Sequence, residues 1–228
     1  MTDQNPTAPD AYTGEVEAGG ASDVRSLPGL TIRKCSVGAM DNNCYLLTCT
    51  DTQEQLLIDA ADDAPRLLRL VEEGSGHLAM IVTTHRHADH VRALEDVARQ
   101  TQAATLAGRH DADALPLPPD RRLAHGDQVV LGRQRLDVIE LRGHTPGAVA
   151  LAWTEPGGRA HLFVGDSLFP GGVGKTASPE DFASLMDDVE GRLFRPYADD
   201  AWVYPGHGSD TTLGAERPQL AQWRERGW

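Results

Sequence analysis

The chain is short of basic residues. It has 21 lysines and arginines against 34 aspartates and glutamates, a formal net charge of −13. Nucleic acid needs a basic face to meet its phosphates, so this balance argues against DNA or RNA as a partner. Anionic membrane surfaces are disfavoured for the same reason. Long apolar runs are missing too, and none approaches the ~18 residues that read as a membrane helix. Met1-Thr2-Asp3-Gln4-Asn5-Pro6 has neither a basic start nor an apolar stretch, which predicts no export signal. There are three cysteines, Cys35, Cys44 and Cys49. An odd count without an export signal predicts reduced thiols in a cytoplasmic protein, each thiol a small buried apolar group.

What the chain does have is a set of five histidines and two aspartates in four short motifs. Thr84-His85-Arg86-His87-Ala88-Asp89-His90 follows the apolar run Leu78 to Val82. Gly143-His144-Thr145, Gly165-Asp166-Ser167 and Tyr204-Pro205-Gly206-His207-Gly208 come later. Each sits where a short apolar run meets a glycine-rich or polar loop, the usual place for chemistry in an α/β protein. His85, His87 and Asp89 alternate, so an extended segment points them the same way. His90 must diverge from Asp89, which invites a second ion. Imidazole with carboxylate suits zinc or iron, whereas magnesium and calcium favour an oxygen cage. A surface loop that merely contains His and Asp would explain one such motif, but not four.

Residues 1–27 are poor in apolar side chains and read as an acidic tail with little structure of its own. Residues 28–228 read as one domain, long enough to bury a core. Strand patterns run over Leu30–Val37, Asn43–Thr50, Gln55–Asp59, Leu78–Thr83, Gln128–Leu131, Arg135–Leu141, Ala148–Trp153, His161–Val164 and Ala201–Tyr204, with a short one at Thr105-Leu106. Helical spacing covers Asp62–Glu73, Asp89–Gln100, Pro179–Leu193 with Ser178 as N-cap, and Ala215–Trp223. Leu115–Pro119 is a proline-rich connector. Pattern alone gives an α/β fold with mixed sheets.

From about Leu30 onward the chain resembles the metallo-β-lactamase superfamily, matching all five of its usual motifs, the earliest being Gln55-Leu56-Leu57-Ile58-Asp59. The resemblance implies a four-layer αββα sandwich, two mixed sheets packed face to face with helices outside. It implies that His85, His87 and His144 bind one metal, that Asp89, His90 and His207 bind a second, and that Asp166 bridges them. Asp59 would orient a ligand histidine; otherwise it is a strand-end aspartate capping a turn. The cofactor expected is two zinc ions per chain, with iron or manganese as substitutes.

Such a site makes hydroxide available near neutral pH and polarises a carbonyl. Two divalent ions outweigh Asp89, Asp166 and a hydroxide, so the site attracts an anion even in an acidic protein. Asp89 is placed to accept or relay the proton. The aspartate bridge argues against antibiotic hydrolysis. The nearest look is to the glyoxalase II group, hydroxyacylglutathione hydrolases, through Phe163 to Phe169, Gly172-Val173-Gly174-Lys175 and Tyr204 to Gly208. In that group the lysine corresponding to Lys175 contacts a carboxylate of the thiol carrier, so the expected substrate is a small anionic thioester. The alternative for Lys175 is an ordinary solvated lysine.

Two features depart from that group. Only 21 residues follow His207 (228 − 207), too few for the helical C-terminal domain of the larger enzymes. Gly143-His144-Thr145-Pro146-Gly147-Ala148 also lacks the second histidine of the G-H-T-x-G-H pattern. Another thiol carrier, or a lactone, therefore stays open. The chief rival is a mononuclear-iron persulfide dioxygenase using His85, His144 and Asp166. That group shares the His87 to His90 stretch, but it usually has arginine at the position of Lys175 and lacks the Pro-Gly-His-Gly run. A non-enzymatic relative would have lost ligands, and here none is missing. Gly174-Lys175-Thr176 is not a phosphate loop, because Phe169 stands where the first glycine is needed. His77, His110, His125 and His161 match no motif.

Overall fold

The computed structural model describes residues 12–227. Among these, two sheets face each other. The first runs in the order β1 (Asp23–Leu27), β2 (Leu30–Val37), β3 (Asn42–Cys49), β4 (Gln55–Ile58), β5 (Leu78–Thr83), β6 (Ala104–Gly108) and β7 (Arg121–Leu123). Its first three pairings are antiparallel and its last three parallel. The second contains β8 (Gln128–Leu131), β9 (Gln134–Glu140), β10 (Val149–Thr154) and β11 (Ala160–Gly165), followed across the sheet by β14 (Trp202–Pro205) and β15 (Thr211–Thr212). Between β11 and β14 in sequence lies a small hairpin, β12 (Leu168–Phe169) with β13 (Gly172–Val173). Helix α1 spans Ala64–Glu73, α2 Leu94–Thr101, α3 Pro179–Val189, α4 Leu213–Glu216 and α5 Leu220–Arg226.

The central strands β3, β4 and β11 are buried on both faces because both faces are covered. Alternate residues go opposite ways. Leu47, Leu56, Ile58 and Val82 point inward to meet Leu136, Val138, Leu151, Trp153, Phe163 and Tyr204 between the sheets. Leu46, Leu57 and Ile81 point outward under Leu67, Leu70, Leu94 and Val97 of α1 and α2. On the far side Ile139, Leu162 and Val203 lie under Phe182, Leu185 and Val189 of α3 and Trp223 of α5. Three apolar layers between four structural layers make the αββα sandwich. The three cysteines are buried and free. No helix among the described residues is long and apolar enough to cross a membrane.

Two expectations need correction, and one strand was not foreseen. The pattern over Asp89–Gln100 is not one helix. A 3-10 turn at Ala88–His90 comes first and α2 begins only at Leu94. Val91 packs in the core all the same, so the apolar spacing continued while the backbone turned aside to deliver Asp89 and His90. The short strand β7 gave no signal, since Arg121-Arg122-Leu123 buries only Leu123. The segment read as a tail differs from its composition. Residues 1–11 lie outside the described residues, but β1 pairs along its whole length with β2, and Tyr12 is buried. Arg25, charged and easily read as solvated, is 4% exposed with its guanidinium 4.3 Å from the Trp202 ring centroid. Ser178 does cap α3, accepting from Asp181 N at 3.1 Å.

Candidate metal centre

Every motif ends on the same edge of the sandwich. Asp59 follows β4, residues 84–90 follow β5, Asp166 follows β11 and His207 follows β14, while His144 lies in the connection between β9 and β10. Two hydrogen bonds fix the mutual position of these loops. Val149 N donates to Thr84 O at 2.9 Å across the two sheets, and Gly206 N donates to Gly165 O at 2.8 Å. Gly206 must be glycine, for an added Cβ would collide with Asp166 Oδ1 and His90 Cε1.

The side chains converge as two overlapping groups. His85, His87 and His144 have ligand atoms within 4.8 Å of one another, and so do Asp89, His90 and His207. Asp166 lies between them: Oδ2 is 3.6 Å from His144 Nε2 and 3.4 Å from His207 Nε2, and Oδ1 is 3.4 Å from His90 Nε2. Asp89 Oδ2 is 3.3 Å from His207 Nε2 and 3.5 Å from His90 Nε2. All seven candidate ligand residues are thus in one cluster. Lys175 is not part of it by its side chain, which is exposed. Its backbone carbonyl is, accepting from His144 Nδ1 at 2.7 Å.

Four of the five histidines share one orientation. His207 Nδ1 donates to Met40 O at 2.8 Å, and His144 Nδ1 to Lys175 O. A carbonyl can only accept, so both rings carry a proton on Nδ1 and turn Nε2 to the opposite side. His90 Nδ1 donates to Asp59 Oδ2 at 2.8 Å. Thr84 Oγ1 gives its hydrogen to Asp59 Oδ2 at 2.7 Å and accepts from His85 Nδ1 at 3.0 Å. Four imidazoles therefore present Nε2 to one small volume. His85 Nε2, His144 Nε2 and Asp166 Oδ1 are buried there without a hydrogen-bond partner. Buried polar atoms are normally paired, and unpaired nitrogen and oxygen atoms within one cluster fit cations held there.

The electrostatics agree. Burial would raise the Asp166 carboxyl, but His207 and His90 outweigh it and hold it well below the usual range. Burial would lower His90, yet the carboxylates of Asp166 and Asp59 beside it push it up to about 10. Carboxylates that stabilise a second proton on His90 also stabilise a metal ion in its place. Burial takes His85 well below its ordinary value, and His144 down despite Asp166. Both therefore stay neutral, the state a metal requires. His207 is raised, because Asp166 and the Met40 carbonyl overcome its burial.

Asp59 keeps a left-handed backbone, φ 58°, which an aspartate tolerates better than most residues. It accepts from Thr84 N at 2.7 Å as well as from Thr84 Oγ1 and His90. Other supporting groups escaped the sequence reading. Asn42 Nδ2 donates to Asp89 Oδ2 at 2.9 Å. Asp111, 1% exposed, accepts from Thr145 Oγ1 at 2.6 Å, Gly147 N at 2.9 Å and Arg86 N at 3.1 Å, so it joins the His85 and His144 loops. Nothing around His110-Asp111-Ala112 marks that aspartate in a single sequence. The pair Asn42-Asn43 in an apolar strand was the one available hint.

A family model described as the metallo-beta-lactamase superfamily matches residues 37–213. Hydroxyacylglutathione hydrolase GloC of Haemophilus influenzae is 31% identical over 208 residues, 82% of this chain and 95% of that protein. A hydroxyacylglutathione hydrolase of Cereibacter sphaeroides is 36% identical over 135 residues, 59% of this chain, and the match spans only 51% of that relative's length. Among solved structures, TTHA1623 in a di-iron-bound form is 30% identical with a TM-score of 0.66, covering 80% of this chain and 95% of that one.

Proposed function

The chain belongs to the metallo-beta-lactamase superfamily, and from that premise we propose that it is a dinuclear metal hydrolase cleaving the thioester of a small S-acylated thiol. His85, His87 and His144 would hold one ion and Asp89, His90 and His207 the other, with Asp166 between the two groups. The observation that carries this reading is the common orientation of His85, His90, His144 and His207, each tied through Nδ1 and each turning Nε2 inward. Zinc suits this nitrogen-rich donor set, and iron is the ion named for the relative TTHA1623. The hydroxyacylglutathione hydrolase names of the curated relatives support a thioester as substrate.

When bound, the two ions supply a water of lowered pKa and an electrophilic pull on the substrate carbonyl. The chain's own groups supply order and proton handling. Asp59, Thr84 Oγ1 and the carbonyls of Met40 and Lys175 lock the ring planes. Asp89 is ionised: burial would raise its carboxyl, but Asn42 Nδ2 and His90 bring it below the usual range. Its carboxylate takes the proton of the attacking water. Water oxygen adds to the thioester carbon, the C–S bond breaks, and that proton leaves with the departing sulfur, giving a carboxylic acid and a thiol. Lys175, exposed beyond the cluster, meets the anionic end of the thiol carrier as a flexible point charge.

Two assays on the metal-loaded protein test this. Thiol release from S-lactoylglutathione, without oxygen uptake on glutathione persulfide, is the expected result. Oxygen uptake without thioester cleavage overturns it in favour of the dioxygenase. Lys175→Ala raises KM for the anionic thioester with little change in kcat, and a neutral thioester is unaffected. Equal loss on both substrates removes Lys175 from the substrate site.

A further inference from the structure

Lys34 is a buried lysine in the middle of β2, 0% exposed. An ammonium taken out of water is costly unless every proton finds an acceptor. Here each does: Nζ donates to Asp210 Oδ1 at 2.7 Å, to Gly208 O at 2.8 Å and to Gly14 O at 2.6 Å. Gly208 and Asp210 flank Ser209 immediately after His207, while Gly14 comes from the N-terminal segment. Asp210 accepts two further bonds, from Tyr12 Oη at 2.6 Å and Trp202 Nε1 at 2.9 Å. Residues 12–14 thus close over the pair. The close approach needs glycine, for Gly14 has φ 76° and a Cβ there would stand 2.7 Å from Asp210 Oδ2.

The same turn is held from its other end. Asn43 Nδ2 donates to Pro205 O at 3.0 Å and Gly208 O at 2.9 Å, and Tyr45 Oη donates to Pro205 O at 2.6 Å. Asn43 N donates to Gly206 O at 2.8 Å. His207 itself is exposed enough to reach the metal position, and its Nδ1 is tied to Met40 O. Past His207 the Lys34 ammonium shares Gly208 O with Asn43 and extends the hold to Asp210. Charge-assisted bonds are roughly twice as strong as neutral ones, so two of them on residues 208 and 210 set the turn more rigidly than apolar packing would.

We propose that the Lys34–Asp210 pair, closed by the N-terminal segment around Tyr12 and Gly14, is a positioning device for His207 and so controls affinity at the second metal position only. This rests on the reading that His207 binds the second ion. The first position draws on His85, His87 and His144, none of which touches Lys34, Asp210, Tyr12 or Gly14.

The test uses the metal-loaded full chain, dialysed against graded chelator, with the zinc retained per chain counted by elemental analysis. His207→Ala marks which equivalent belongs to the second position. In Lys34→Met/Asp210→Asn, which neutralises both partners together, that equivalent is expected to leave at roughly tenfold lower chelator activity, with the other equivalent unmoved. Tyr12→Phe removes one hydroxyl and leaves the ion pair, so it reads the same selective shift, smaller, even where the double variant does not fold. Unchanged retention of both equivalents in Tyr12→Phe and in a folded double variant overturns the proposal. So does parallel loss of both equivalents, the mark of a merely structural role. A wild-type chain that retains one equivalent overturns the two-metal reading and the brace with it. Two equivalents in the wild type with no selective shift in the variants overturn the brace alone.

Discussion

The loop from Thr84 to His90 and the loop from Pro205 to Gly208 serve the same cluster in opposite ways. The first carries His85, His87, Asp89 and His90 within one short stretch. Its supports are close by in space and in the fold: Asp59 at the end of the neighbouring strand β4, and Thr84 within the loop itself. The second carries only His207. Its backbone is held by Asn43, Tyr45 and Lys34, more than 150 positions earlier in the chain. A contiguous motif makes its chemistry visible as text. A lone histidine held by distant strands shows its role only when the sheets are assembled. The physical reason is the same in both: a metal needs ligands fixed to well under an ångström, and either local sequence or tertiary contact can supply that.

The sharpest way to break this comparison is to remove the group shared by both loops. Asp166→Asn keeps the size of the side chain and cancels its charge. Activity is expected to fall by more than the roughly 100-fold typical of supporting groups, with the fold intact by circular dichroism. Near-normal turnover with both metals bound would remove Asp166 from the bridging position. Next in size is Asp59→Asn, which weakens the hold on His90 from the side of the contiguous motif. Metal affinity is expected to drop by roughly 10- to 100-fold, measured by chelator competition. An unchanged affinity would mean that Asp59 only stabilises the turn at Thr84.

Sequence legibility followed the same division. All seven candidate ligands were readable, because imidazole and carboxylate at the ends of apolar runs have few other uses. The two-sheet sandwich was readable from its strands and from family resemblance. The break between His90 and Leu94 was not, since Val91 keeps the apolar spacing of a helix while the backbone turns. Asp111 and Lys34 were not readable either. A charged residue beside other charged residues, as Lys34 is beside Arg33 and Asp111 near Arg109 and Asp113, reads as surface until its partners are known, and those of Lys34 come from both ends of the chain. The segment from Tyr12 to Leu27 was misread for that reason: its acids and glycines hide one tyrosine and one arginine that pack deeply.

The smallest effect is a pH dependence on the side of the second loop. His161 stacks on Tyr204 and meets its hydroxyl at 2.9 Å. Burial, with Arg25 and Arg159 nearby, lowers it from 6.5 to about 3. The unfolded chain therefore binds a proton between those values that the folded chain refuses, so stability is lost as pH falls from about 6.5 towards 3. In His161→Gln the fall in Tm between pH 6.5 and pH 5 should be shallower than in the wild type, and an identical slope would show that carboxylates alone govern the acid limb.

The central claim is that two loops of unlike construction complete one two-metal centre. Elemental analysis of the wild-type chain beside His207→Ala, both purified with zinc supplied, tests it most directly. The account predicts two ions per chain in the wild type and one in the variant. One ion in both, or two in both, would contradict it.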